Sequence, residues 1–134
     1  MHPNKALFSE GLLLILQTWS ALQLALSLSS THYNLDDLHF SLMDYFSVHG
    51  QRIEVEDLED ILVEVMGREF GVGLEDGSEV QVGRMIWELY RQSIRGETRL
   101  LDALKAKKNQ LRENPSHVGQ TMEQETSEEE EEIE

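Results

Sequence analysis

An all-α fold is what the sequence predicts: a compact bundle of four to five helices with a disordered acidic C-terminal tail. Three observations carry that expectation. Apolar residues recur at helical spacing from about residue 6 to residue 111, and no stretch of useful length alternates with the period of a strand. Glycine or proline follows the end of most periodic runs, where helices stop. The last residues, 113–134, hold nine Glu, no Lys or Arg and almost nothing to bury. With 134 residues and 40% apolar content, the chain suits one small core, assigned to residues 1–112 as a single helical domain, with 113–134 as the tail.

The first helix is expected over about Ala6 to Leu28. Leu12, Ile15, Leu16, Trp19, Leu22 and Leu26 form its stripe, with Leu13, Leu14, Leu24 and Leu28 on the flanks. A helix apolar nearly all round belongs at the centre of a bundle or in a membrane. Glu10, Gln17, Thr18, Ser20 and Gln23 interrupt this one too often for a spanning segment. Lys5 ahead of Leu12–Leu16 has the outline of a signal peptide, which would make the mature chain a secreted helical protein. Glu10 and Gln17 break that outline, and a buried helix is the reading adopted.

The second helix is placed at Leu35 to Val48, capped by Asn34, with Asp36 and Asp37 at its positive end and Gly50 after it. Its stripe is Leu35, Leu38, Leu42, Tyr45 and Phe46. The third, about Glu54 to Phe70, is the most regular, with Val55, Leu58, Ile61, Leu62, Val65, Met66 and Phe70 on one face. Gly71, Gly73 and Gly77 break the pattern. Ser78 and Gln81 then read as a capping box for a fourth helix to Ile94, with Val82, Met85, Ile86, Leu89 and Tyr90 inward. After Gly96, a fifth helix from Thr98 to about Arg112 carries Leu100, Leu101, Leu104 and Leu111. Helix one is expected at the centre, with Trp19, Tyr45, Phe46, Phe70 and Trp87 supplying much of the core.

Charge narrows the function. The chain has 26 acidic and 11 basic residues, for a net −15. Direct nucleic-acid binding and anionic membranes are disfavoured, because phosphate contacts need Lys and Arg. The charge lies in blocks: −2 over residues 1–53, −9 over 54–83, +5 over 84–112 and −9 over 113–134. The absence of cysteine excludes disulfides, thiol catalysis and Cys-ligated metals.

No catalytic constellation stands out. The five histidines never fall at i, i+4, and His32 and His39 read as loop and surface residues. Gly71-Val72-Gly73 follows a helix rather than a strand and lacks a following Gly-Lys, so it is no phosphate loop. Asp76-Gly77-Ser78 lacks the alternating acids of a calcium loop. No nucleophile–base pair is visible, so an enzyme is not expected. What remains is Glu56, Asp57, Glu59, Asp60, Glu64, Glu69, Glu75, Asp76 and Glu79 within 24 residues. Such a surface repels itself, and an oppositely charged partner explains it better than solvation alone. The basic residues from Arg84 to Arg112 could instead neutralise it internally.

These residues also carry a resemblance. Trp19-Ser20-Ala21-Leu22-Gln23-Leu24-Ala25 resembles the Trp-x-Ala-Leu-Gln-hydrophobic-Ala segment of the escortin family, also called pre-rRNA-processing proteins. Asp44-Tyr45-Phe46, Val55-Glu56-Asp57-Leu58-Glu59-Asp60, Glu69-Phe70 and Glu75-Asp76-Gly77-Ser78 are similar to that family's later motifs, in its order, over about residues 7–95. Where the family usually has an aromatic-Gly-Gly motif, this chain reads Leu28-Ser29-Ser30-Thr31-His32-Tyr33-Asn34. The resemblance implies a cofactor-free chaperone of one basic, zinc-binding protein of the small ribosomal subunit, its twenty-sixth. It implies a protein of the nucleus, with the cytoplasm as a second location, that takes the client from its import receptor and delivers it to the precursor subunit. Together with the charge, it points to Glu56, Asp57, Glu59, Asp60, Glu64, Glu75, Asp76 and Glu79 as client-binding residues acting as phosphate mimics, in a monomer that contacts neither nucleic acid nor membrane. The altered Leu28–Asn34 segment favours the alternative of a broader acidic chaperone or adaptor for other basic proteins, such as histones.

Overall fold

The computed structural model describes residues 4–113, the last three of them by backbone only. The tail expected at 113–134 lies outside the described residues except for Glu113, which ends the last helix. Among the described residues there is no strand. The helices are α1 (Lys5–Thr18), α2 (Ser20–Leu28), α3 (Leu35–His49), α4 (Val55–Phe70), α5 (Ser78–Ile94) and α6 (Arg99–Glu113), with a 3-10 turn at Gly50–Arg52. The chain divides into two compact units after Leu104, and the first holds α1 to α5 with the start of α6.

The all-helical bundle is as expected; the first helix is not. Ala6–Leu28 is two helices set at 69°. Trp19 between them is extended, at φ −78° and ψ 105°. Side chains on both sides of the break pair the last carbonyls of α1. The Thr18 hydroxyl lies 3.2 Å from the Leu14 carbonyl and 3.0 Å from that of Ile15, and the Gln23 side-chain amide donates to the Leu16 carbonyl at 3.0 Å. Such back-bonding by threonine bends helices. The bend buries the Trp19 ring and turns α2 away from the line of α1, so Leu24 and Leu28, expected on the flanks of a buried helix, are 60% and 78% exposed.

α1 packs on α5 and α3, α4 packs on α5, and α2 reaches α4. The central position is thus shared by α1 and α5. Phe8, Phe46 and Tyr90 join α1, α3 and α5 through ring contacts at 4.6 to 5.3 Å. Leu12, Ile15, Leu16, Leu22, Leu58, Leu62, Met66, Ile86 and Leu89 are fully buried around them. Trp19 and Phe46 are core residues as expected, whereas Tyr45, Phe70 and Trp87 are only partly buried. Each of those three sits at the edge of the packed face. The Trp87 indole N–H donates to the Ile53 carbonyl at 3.3 Å, and Arg91 stacks over its ring.

The start of α3 and the end of α4 follow local chemistry, and the start of α5 does not. Asn34 accepts from the Asp37 N–H at 3.0 Å and Asp37 accepts from the Asn34 N–H at 2.9 Å, a complete capping box for α3. Gly71 takes a left-handed φ of 67°, and the Val72 N–H reaches back to the Met66 carbonyl. The exception is α5. The capping box expected from Ser78 and Gln81 does not form: Gly77 is the cap position and Ser78 is the first helical residue. The Ser78 hydroxyl instead accepts the Trp19 indole N–H at 2.9 Å, across 59 residues of sequence. His39 is likewise not the surface residue expected. It is half-buried, with its Nε2 donating to the Ser9 carbonyl at 3.0 Å and so tying α3 to α1.

Candidate functional site

α4 is amphipathic. Leu58, Leu62, Val65 and Met66 fill the core, which leaves the opposite face to its carboxylates. Glu56, Asp60 and Glu64 follow one another at i, i+4 and are exposed, so they form a row along the solvent face. Arg68 continues that row and pairs with Glu64 at 2.9 Å and Glu69 at 3.1 Å. These partners raise the Arg68 pKa above its ordinary value, the Glu69 hydrogen bond most of all. Among the described residues, Glu56 and Asp60 have no basic partner.

Among the described residues of the first unit, Arg84, Arg91, Arg95 and Arg99 form no ion pair with this row. Among the described residues, Arg95 pairs with Glu97 at 3.2 Å and Arg99 with Glu97 at 3.3 Å, both near the start of α6. Arg95, then Arg99, holds the Glu97 carboxyl below its ordinary pKa. The internal neutralisation that the charge blocks allowed is absent from the ion pairs among the described residues.

Two further acids of α4, Asp57 and Glu59, have structural work. Asp57 accepts the Glu54 N–H at 2.9 Å, capping α4. Glu59 lies where α4 and α5 come closest: a Cβ on Gly83 would stand 3.2 Å from its Cγ and 3.4 Å from its backbone nitrogen. Asp57 is nonetheless exposed, whereas Glu59 is half-buried.

The remaining acids follow α4 in the chain, Glu75 and Asp76 in the 71–77 segment and Glu79 in the first turn of α5. Glu79 is one turn before Gly83, the residue that meets Glu59, so it stands beside α4 rather than at its far end. Asp76 accepts the Ser78 N–H at 3.0 Å, and that bond with the Ser78 hydroxyl holds its pKa below the ordinary carboxylate value. Glu79 is half-buried in the first turn of α5, with one carboxylate oxygen buried and without a hydrogen-bond partner. Glu75 is exposed.

Glu75 and Asp76 also border an open groove of about 370 Å³ between α2 and the 71–77 segment. Its apolar wall includes Leu24 and Leu28, which the sequence reading missed because a continuous helical stripe would have buried them. The only sequence sign was an N-terminal run apolar on too many sides for one buried face.

Among the described residues, no three His, Cys, Asp or Glu side chains stand together as a metal site. No single helix there is long and apolar enough to cross a membrane.

A family model, described as "WGG: Pre-rRNA-processing protein TSR2", matches residues 8–84. The chain is 30% identical over 97 residues to the human pre-rRNA-processing protein TSR2 homolog, covering 69% of this chain and 50% of that protein. The mouse homolog is 29% identical over 110 residues, covering 79% and 57%. For the Danio rerio homolog the values are 28% over 101 residues, 69% and 53%. The chain spans about half the length of the curated relatives it matches. No solved structure matches it.

Proposed function

The chain belongs to the family of the pre-rRNA-processing protein TSR2, and from that premise we propose that it acts in ribosome biogenesis as a chaperone of a basic ribosomal protein. The client is the zinc-binding twenty-sixth protein of the small subunit, taken from its import receptor in the nucleus and delivered to the precursor subunit. No catalytic step and no cofactor are involved; the zinc is the client's. The observation that carries this reading is the outer row of α4, where Glu56 and Asp60 have no base of the described chain beside them.

The mechanism is electrostatic. A ribosomal protein outside the ribosome exposes Lys and Arg destined for rRNA phosphates. Carboxylates spaced one helical turn apart offer those cations a temporary anionic surface, and rRNA, with its denser charge, displaces it at delivery. Exposed ion pairs contribute about 0.2–1 kcal/mol each, so several are needed for useful affinity. Their attraction is screened as the Debye length falls from about 10 Å at 0.1 M salt to about 3 Å at 1 M.

The test is co-purification of the client with the full chain across a salt series. A second chain carries Glu56→Lys, Asp60→Lys and Glu64→Lys, and spares Asp57 and Glu59 for their structural roles. Capture that weakens with salt and drops about tenfold or more in the variant, a loss of about 1.4 kcal/mol or more, is the expected result. Capture unchanged by salt or by charge reversal would overturn the mechanism.

The replaced segment at Leu28–Asn34 favours a second reading, an acidic chaperone for other basic proteins such as histones. In the structure this segment is the α2–α3 connection, and Tyr33 within it packs edge-on against Phe70 at 5.8 Å. Equal capture of a histone and the ribosomal client under the same salt would favour that reading.

A further inference from the structure

The bend at Trp19 points α2 so that Leu24 and Leu28, one helical turn apart, face the segment after α4. Leu24, Leu28, Phe70, Val72 and Leu74 line the resulting groove, and its volume of about 370 Å³ leaves room for more than one side chain. Its parts are well held. Trp19 is hydrogen-bonded to Ser78 at the start of α5, Phe70 is backed by Tyr33, and Gly71 and Gly77 set the chain direction with φ of 67° and 72°. Two exposed leucines at helical spacing over an open apolar groove are costly to leave in water. Glu75 and Asp76 stand at its edge, with the Asp76 carboxylate held ionised by the Ser78 N–H.

We propose that this groove binds a segment of a basic partner protein in which one or two aliphatic or aromatic side chains lie beside Lys or Arg. The apolar side chains enter between α2 and the 71–77 segment, and the flanking cations meet Glu75 and Asp76. Charge selects this occupant over two others. The chain's own C-terminal residues, 113–134, carry nine Glu and no base, the same sign as the edge of the groove. A second copy brings another net −15, which disfavours self-association. The proposal rests on the reading of the protein as a carrier of basic clients. It adds an apolar anchor that charge alone does not supply, and so a component of binding that survives high salt.

The test uses the full chain and two short fluorescein-labelled peptides of equal charge. One is Lys-rich with a Leu pair at helical spacing; in the other each Leu is Ser. Fluorescence anisotropy is measured at low and high salt. The Leu peptide should bind about tenfold tighter, as expected for burying part of two leucine side chains, and keep that advantage at high salt. Leu24→Ser and Leu28→Ser should each shrink the advantage. Phe40→Ser, at an exposed α3 position that lines a different pocket, should leave it intact. Circular dichroism confirms that each variant is folded. Equal binding of the two peptides, or an advantage untouched by both Leu variants, would overturn the proposal. So would a dimer in sedimentation that Leu28→Ser dissolves, because the occupant would then be a second copy. The reversal of Glu56, Asp60 and Glu64 separates this from the parent reading. Client capture that persists with equal peptide affinities keeps the acidic mechanism and removes the groove. A Leu preference that survives when the client is never captured keeps the groove and removes the parent reading.

Discussion

Replacing Trp19 probes the feature that most shapes this molecule. The ring is 4% exposed, so Trp19→Ala removes a large side chain from a closed site and should cost about 3–5 kcal/mol. Domains of this size are stable by about 5–15 kcal/mol, and the alanine variant should unfold at much lower urea or fail to fold. Trp19→Phe is the finer probe. It keeps most of the buried ring but loses the indole N–H bond to Ser78 at 2.9 Å, a net contribution of about 0.5–1.5 kcal/mol. The smaller ring leaves a void worth about 1–2 kcal/mol more. The sum, about 1.5–3.5 kcal/mol, should lower Tm by about 6 °C or more, at roughly 4–8 °C per kcal/mol for a domain near this size. Urea titrations of Trp19→Phe, Ser78→Ala and the double variant, followed by far-ultraviolet circular dichroism, isolate the bond itself. A coupling energy near 1 kcal/mol is expected for groups in direct contact. A coupling of zero would show that the bond does not hold α2 to the start of α5. A loss below about 1 kcal/mol for Trp19→Ala would refute the buried bend altogether, since no core tryptophan is removed so cheaply.

Two further predictions concern backbone spacing and titration. Gly67 lies inside α4, where a Cβ would meet no neighbour within 4 Å, whereas a Cβ at Gly83 would press on Glu59 of α4 at 3.2 Å. Gly67→Ala should therefore raise the urea midpoint, by about 0.5–1 kcal/mol of stability, and Gly83→Ala should lower it by about 1 kcal/mol or more through overpacking; equal effects would refute the close approach of α4 and α5. The Asp76 carboxyl, held down by the Ser78 N–H, should titrate by NMR below the ordinary Asp value of 3.8. Because its folded pKa is depressed, its contribution is fully present above that ordinary value and is lost as pH falls through the folded one. A midpoint at or above 3.8 would refute the hydrogen bond.

The helices after Asn34 were legible in the sequence because their signals are local. The Asn34–Asp37 capping box, the left-handed glycines at 50, 71 and 77, and the apolar stripe of α4 each depend on residues within a turn or two of one another. The acidic row Glu56–Asp60–Glu64 was legible for the same reason, since a helix with a buried stripe must turn its remaining residues outward. Tertiary packing decided the rest. Nothing in the pattern from Ala6 to Leu28 marks Trp19 as a break, because its extended backbone is stabilised by burial of the ring and by Ser78, 59 residues away. That same bond takes the hydroxyl expected to cap α5. It also leaves Leu24 and Leu28 in solvent, where a straight helix would have buried them. Which carboxylates serve the fold was likewise hidden: Asp57 could be suspected from its place in the first turn of α4, but Glu59 meets Gly83 only once two helices pack. Local periodicity specifies what each segment becomes; the long-range contacts that bury Trp19 specify which of its faces is left for a partner.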